Sequence, residues 1–363
     1  MGLNLAQVKE VLQVWQVAGQ ARAVSLLERG LTQGSLAHAY LFVGPRHIGK
    51  MTLARGLAQA VNCSSGEPPC GECSSCRRIA LDKHPDVQVI DLIADENGKL
   101  RTEIGINQIK EVERSSSLPP FEGKYKVFIV DGAELLSNEA GNSLLKTLEE
   151  PADRVIFVLL TTDDRLLLPT VVSRCQRLEL APLPAGEIEA VLNGRPDIEL
   201  QKAKLLARLC HGCLGWALLA AADDGLLEQR AERINKLLEV VGADCEERFA
   251  YADWLATRFS QRRGLVWEVL DLWLDFWRDL MLVKLGCADG ITDIALGEAL
   301  VQMTGDYSLA QIRTFIADIR TAREQLGRNA SPRLVLEVLM LGIPERRGAT
   351  GQTLAAQFSV NYG

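Results

Sequence analysis

The stretch from Tyr40 to Arg55, YLFVGPRHIGKMTLAR, constrains the fold more than any other part of the chain. Tyr40, Leu41, Phe42 and Val43 are an apolar run stopped by Gly44-Pro45, which predicts a short buried strand. Gly44, four intervening residues and then Gly49-Lys50 have the spacing of a phosphate-binding loop, and helical spacing resumes from Thr52 to Val61. A strand–loop–helix turn of this kind aims backbone N–H groups and a helix N-terminus at phosphate oxygens. The lysine adds a mobile positive charge.

The loop departs from the ordinary pattern in two places. The residue after the lysine is normally Ser or Thr, whose hydroxyl holds Mg²⁺; here it is Met51, a soft thioether that suits a hard cation poorly. Thr52 follows, about 100° further round a helix, and is a poor substitute. His47 stands where such loops often carry glycine. Two readings stay open on these residues: a degenerate site that still takes ATP through Gly44, Gly49, Lys50 and Thr52, and a turn that keeps only the shape. An impaired Mg²⁺ site makes hydrolysis the weaker expectation.

The other half of such a site is an apolar strand ending in aspartate. Tyr125–Val130 followed by Asp131 has that form, the carboxylate serving Mg²⁺ through its water shell. A hydrolytic enzyme needs a second carboxylate directly afterwards to orient water. This chain has Gly132 and Ala133, and Glu134 falls two residues late, where it is expected to point elsewhere. A further strand, Val155–Leu160, leads into Thr161-Thr162-Asp163, where Thr162 is placed to read a γ-phosphate, although a plain turn explains it as well.

Cys63, Cys70, Cys73 and Cys76 are the second strong signal. The last three form two overlapping C-x-x-C units, and Gly66, Pro68, Pro69 and Gly71 supply tight turns. Four thiolates on so short a loop suit tetrahedral Zn²⁺, and a closed sulfur shell leaves no position for water, so the expected role is structural. A redox pair or unligated thiols are the alternatives.

Over 363 residues the chain carries 40 Lys and Arg against 47 Asp and Glu, a net charge of −7 that excludes a protein coating nucleic acid along its whole surface. Lys9 and Glu10 and the lack of an early apolar run argue against a signal peptide. With nine cysteines, this predicts a cytoplasmic chain. The most apolar long stretch, Leu265–Leu285, contains Glu268, Asp271, Asp275, Arg278 and Asp279, which no membrane span would tolerate.

Strands alternating with helices up to residue 182 predict a parallel α/β domain. The elements expected there are helices over 1–37 with a turn near Gly19-Gln20, over 104–114 and over 138–149, and strands over 87–93 and 177–180. Lys110 and Arg114 on the 104–114 helix read as a solvated basic face rather than a DNA contact. From Pro182 on, the pattern is helical, and Trp267, Trp273 and Trp277 mark an apolar face suited to helix packing or subunit contact.

Several segments together resemble the bacterial clamp-loader subunits of the AAA+ superfamily, the DNA polymerase III family in which gamma/tau motor subunits and a delta-prime stator are related. They are HAYLFVGP at 38–45, the cysteine module at 63–76, VFIVDGAE at 127–134, LLKTLEEP at 144–151, TTDD at 161–164, SRC at 173–175 and LGRNASPRLVLE at 326–337. The resemblance covers nearly the whole chain and is to the delta-prime branch in particular. It implies an α/β P-loop AAA+ core with a parallel sheet over 1–182, a small helical lid over 183–224, and an all-α collar over 225–345. Residues 346–363 are expected to be a disordered tail.

The resemblance further implies a hetero-pentamer with gamma/tau and delta subunits that opens a sliding clamp and places it on primed DNA, with no membrane partner. Arg174 of the SRC segment would be an arginine finger reaching into a neighbour's ATP site. In HGCLGWAL at 211–218, Gly215 stands where the motor subunit carries an ATP-sensing arginine. The combination of Met51, Gly132 and Gly215 with a retained Arg174 implies a stator that does not hydrolyse ATP. The alternative is an ATP-hydrolysing motor in which Thr52 and Glu134 replace the missing groups. A zinc-dependent DNA-binding module is a third reading, disfavoured by the acidic chain and the lack of a basic reading helix.

Overall fold

A computed structural model describes residue 15, residues 17–65, 68–93, 101–328 and 330–346, and residue 362. The helix expected over the first residues lies outside these, as does most of the tail expected to be disordered. The described residues fall into two compact units. One takes in those up to Ile188 together with Cys210–Trp216, and the other Glu189–Leu209 with those from Ala217 on.

The first unit is built on five parallel strands in the order β2-β3-β4-β1-β5: β1 Ala39–Val43, β2 Val87–Ile90, β3 Lys126–Asp131, β4 Val155–Thr161 and β5 Gln176–Glu179. Every residue of β1 and β4 is buried, as are the first five of β3. This is how strands covered on both faces read in sequence: continuous Val, Ile, Leu and Phe rather than alternation.

The alternation survives as a division between two cores. Tyr40, Phe42, Val127, Ile129, Ile156 and Val158 point to one side, against Leu27 of helix α1 (Ala21–Gln33) and Leu53 and Leu57 of α2 (Lys50–Asn62). Leu41, Val43, Phe128, Val130, Phe157 and Leu159 point to the other. They meet Ile109 and Val112 of α4 (Ile106–Ser116) and Leu144 and Leu148 of α5 (Asn138–Glu149). In register, Phe128 pairs with Phe157 and their rings stack at 5.3 Å. The short helix α3 (Ser74–Ala80) belongs to the cysteine module, and α6 (Pro169–Val172) precedes β5. This is the parallel α/β core that the sequence pattern predicts, with strand ends shifted by one to three residues.

Helices α7 (Ala185–Asn193), α8 (Leu200–Leu209) and α9 (Leu214–Ala222) cover the segment read as a lid, and the division between the two units runs through it. The second unit continues with α10 (Gly225–Gly242), α11 (Cys245–Gln261), α12 (Arg263–Lys284), α13 (Gly297–Met303), α14 (Leu309–Gly327) and α15 (Pro332–Leu341). Trp273 and Trp277 are fully buried in its core, where Trp277 meets Phe315 edge-on at 5.0 Å and Tyr307 at 5.2 Å. Packing therefore accounts for these two tryptophans. Among the described residues no helix is long and apolar enough to cross a membrane.

The approach to β3 is fixed by one buried carboxylate. Asp86 accepts the N–H groups of Phe121, Glu122 and Gly123 at 2.6, 2.9 and 2.7 Å. Burial works against its ionisation, but these three donors more than compensate and hold the carboxyl below its usual range. Replacing Asp86 by Asn is expected to lower unfolding free energy in urea by about 2 kcal/mol. Because the folded-state value is depressed, the contribution is complete above the ordinary carboxylate value of about 3.9 and is lost as pH falls through the lower, folded-state value. The gap between wild type and variant should therefore narrow in acid. Equal stabilities at neutral pH would dismiss the clamp.

Candidate nucleotide site and metal centre

The phosphate-type loop leaves β1 at Gly44, whose N–H donates to the Thr161 carbonyl at 3.2 Å. A Cβ at Gly44 would lie 2.8 Å from the Leu180 carbonyl oxygen, so only glycine fits here. The loop closes at Gly49, which caps α2 with a φ of 107°. His47 also adopts a left-handed conformation, φ 60°, which costs a non-glycine residue strain.

Within this loop the lysine is turned inward. Lys50 Nζ donates to the carbonyls of Gly44 at 2.6 Å and Pro45 at 2.8 Å, and the residue is buried. Burial lowers its pKa, opposed by the negative charges of Glu134 and then Asp131. Met51 and Thr52 follow in the first turn of α2, both partly buried.

The segment carrying Gly215 closes the loop from outside. The Gly215 N–H donates to the His47 carbonyl at 3.0 Å, and a Cβ on Gly215 would come within 2.6 Å of that oxygen. Cys213 sits in the same apolar cluster as Ile48 and Leu53, and burial pushes its thiol up to about 11. The position that resemblance compares with a sensing arginine is thus a backbone-to-backbone contact with no room for a side chain.

Asp131 ends β3 and Thr162 follows β4, so both lie at the strand ends beside the loop. The protein crowds the Asp131 carboxyl from within although its rim reaches solvent, and burial holds its pKa above the usual range, opposed by Lys50. Glu134 corrects the sequence expectation that it points elsewhere. Gly132, with φ 74°, and the 3-10 turn Ala133–Leu135 swing it back into the site. Its Oε1 accepts the Thr162 hydroxyl at 2.8 Å, and its Oε2 is buried without a hydrogen-bond partner. The geometry therefore brings together Gly44, Gly49, Lys50, Asp131 and Thr162, and adds Glu134.

Arg174 lies apart from this group, just after α6. It donates to Glu149 Oε1 at 2.5 Å and to the Thr170 carbonyl at 2.9 Å, with about a third of the side chain exposed.

The four cysteines converge as the spacing predicts. Their Sγ atoms all lie within 4.8 Å of one another, with 3.5 Å between Cys63 and Cys70, 4.0 Å between Cys63 and Cys73, and 3.9 Å between Cys70 and Cys76. A tetrahedron with metal–sulfur arms of about 2.3 Å has edges of about 3.8 Å, so the cluster matches a four-thiolate centre.

The surroundings favour the thiolate at Cys70 and Cys73, whereas burial raises the Cys76 thiol. The N–H groups of Ser65, Cys73 and Cys76 donate to Cys63, Cys70 and Cys73 sulfurs at 3.4, 3.4 and 3.5 Å. At Cys73 burial opposes ionisation, but donors from Ser64 and Cys76 bring the thiol down to about 5. Gln59 and Lys124 donate to the carbonyls of Cys76 and Cys63 at 2.9 and 3.0 Å, tying the module to α2 and to the loop before β3. These four residues can bind a metal ion.

Comparison with known proteins follows the same lines. A family model described as DNA polymerase III, delta subunit, matches residues 19–184. The DNA polymerase III subunit delta' of Bacillus subtilis is 29% identical, over 90% of this chain and 96% of its own length. The DNA polymerase III subunit tau of Escherichia coli K12 is 30% identical over 93% of this chain but 52% of its own, so this chain spans about half the length of that relative. Among solved structures, a DNA polymerase III gamma subunit-related protein of Thermotoga maritima aligns with a TM-score of 0.44 at 18% identity, over 87% of this chain and 98% of its own.

Two outcomes are expected at these sites. Cys73→Ser should strip bound metal from the purified chain, read by elemental analysis; full metal content would show that the ligand set is wrong. Gly215→Ala, which would ordinarily favour a helix by about 1 kcal/mol, should instead destabilise by about 1–3 kcal/mol through collision with the His47 carbonyl. Calorimetry reads the sign, and a stabilised variant would contradict the closed loop.

Proposed function

We propose that the chain is a clamp-loader subunit of the DNA polymerase III family, of the delta-prime type, and that it is the stator of its clamp loader. In this reading it does not hydrolyse ATP. It joins gamma/tau motor subunits and delta in a hetero-pentamer, helps open the sliding clamp and place it on primed DNA, and donates Arg174 to a neighbour's ATP site. Residues 183–224 serve as lid and 225–345 as collar. A cytoplasmic, nucleoid-associated location goes with this role.

One observation carries the proposal: the lysine of the phosphate loop is spent on its own loop. Lys50 is bonded to the Gly44 and Pro45 carbonyls while the Gly215 N–H holds His47. A nucleotide phosphate would have to compete with these two carbonyls for the lysine. Met51 then offers no hydroxyl for Mg²⁺. Phosphoryl transfer depends on charge positioned beforehand, and a site with neither the metal ligand nor the sensing arginine lacks most of it.

Arg174 suits a role outside its own chain. Its partner Glu149 is half-exposed, and ion pairs at a surface are worth at most about 1 kcal/mol, so the guanidinium can swing away at little cost. A planar guanidinium then neutralises charge developing on a γ-phosphate. For the cysteine module we propose Zn²⁺ held by Cys63, Cys70, Cys73 and Cys76. The ion would supply a structural cross-link to a loop too short for a core of its own.

The motor-type reading keeps one specific observation in its favour. Glu134 faces Lys50 and Thr162 instead of solvent, where a carboxylate would serve as base. Turnover separates the two readings. The purified chain alone should be silent with ATP, and Arg174→Ala should lower turnover by the reconstituted complex at least about tenfold while assembly is unchanged. An unaltered rate would remove Arg174 from the neighbour's site. ATP hydrolysis by the chain alone that is abolished by both Lys50→Ala and Glu134→Gln would make the chain a motor.

A further inference from the structure

The helical unit carries a buried polar cluster that the clamp-loader reading leaves unused. It centres on Asp293, whose side chain is 2% exposed, between the 3-10 turns Ala288–Gly290 and Ile294–Leu296. The backbone there is pinned from two helices. Asp279 of α12 accepts the N–H groups of Thr292 at 2.7 Å and Asp293 at 3.0 Å, and Arg278 donates to the Thr292 hydroxyl at 3.0 Å. Arg208 of α8 donates to the carbonyls of Asp289 at 2.9 Å and Ile291 at 3.0 Å.

The Asp293 carboxylate is less well provided for by these elements. Its Oδ1 is buried with no hydrogen-bond partner. Its Oδ2 receives Nε of Arg230, on α10, at a long 3.4 Å, and the Arg230 side chain is itself only 13% exposed. Taking such a pair out of water is costly unless further groups bond to it. A second donor to that Oδ2 comes from Tyr362. The Tyr362 hydroxyl donates to Asp293 Oδ2 at 2.5 Å, and its half-buried ring packs against the apolar cluster of the unit. Burial, together with the Asp293 charge, raises the Tyr362 pKa, so the phenol stays a donor throughout the physiological range.

A phenol suits this place for two reasons: its ring shields the ion pair from water, and its O–H adds a short bond to the Oδ2 that Arg230 reaches only at long distance. We infer that Arg230 and Asp293 form a socket for a tyrosine side chain and that the chain's own Tyr362 is its ligand, latched onto the helical unit. The occupant is fixed by the contacts: a group with an apolar body and a single donor at its tip. A phenylalanine would fill the space but leave the carboxylate as it was.

The test uses the full chain carrying Tyr362→Ala, in which the latch is released and the helices are untouched. A fluorescein-labelled peptide of residues 350–363 should bind this variant saturably by anisotropy. The same peptide with Phe at the tyrosine position should bind about tenfold more weakly or worse, as expected for loss of a hydrogen bond to a charged acceptor. Wild-type chain should bind the peptide at least about tenfold more weakly than the variant, because its own tail competes. Hydrogen exchange supplies a second reading: amides of 288–296 should exchange faster in Tyr362→Ala than in wild type. Absence of peptide binding by the variant, equal binding of the two peptides, or unchanged exchange would each overturn the socket.

Discussion

Burial of the central strands on both faces is the constraint from which the rest of the first unit follows. β1 and β4 have no polar side, so helices must cover the sheet above and below, and parallel strands must be joined by crossovers of helical length. All connections that leave the C-terminal ends of β1, β3 and β4 then gather along one edge. Lys50, Asp131, Glu134 and Thr162 meet there because of strand topology, whatever chemistry they perform. At about 25 cal/mol for each Å² of apolar surface removed from water, this scaffold is far more strongly determined than any one polar contact in the site. Substitutions at positions such as Met51 can therefore accumulate without disturbing the fold around them.

With the scaffold fixed, the loop has to answer a local question: what satisfies a buried lysine. Two loop carbonyls take its N–H donors, and the charges of Glu134 and Asp131 offset part of its burial. His47 is left with its carbonyl directed outward, and the Gly215 N–H meets it. The space beside the His47 carbonyl is thereby taken by the Gly215 backbone. A side chain at 215 is excluded by the 2.6 Å approach of the His47 oxygen to the Cβ position, so the glycine and the closed loop are one feature.

The sequence discloses what is set by local pattern. Strands made of continuous Val, Ile, Leu and Phe, the turn at Gly44-Pro45 and the four clustered cysteines are legible because neighbours in sequence determine them. The direction of Glu134 is not, since it depends on Gly132 taking a left-handed conformation and on a hydroxyl that follows a different strand. Nor is the Asp86 clamp, whose donors lie more than thirty residues further on, at Phe121, Glu122 and Gly123. Asp293 in sequence is one acid among many. Its partners Arg230 and Tyr362 lie sixty-three and sixty-nine positions away, and no periodicity connects them.

The cysteine cluster and the phosphate-type loop occupy opposite ends of a single helix, and this bears on how each is held. α2 begins at Lys50 and ends at Asn62, next to the first cysteine. Its last turn has no glycine to close it, and the residue that follows, Cys63, is extended. Side chains hold that end instead: the Asn62 carboxamide oxygen accepts the Tyr125 N–H at 2.9 Å, and Lys124 reaches the Cys63 carbonyl. Asp86 in turn fixes the loop that supplies Tyr125 and Lys124. The cysteine module, the end of α2 and the start of β3 are therefore one polar network. A change at the cysteines would therefore be felt at the far end of the helix, while the sheet and the carbonyls around Lys50 keep the near end in place.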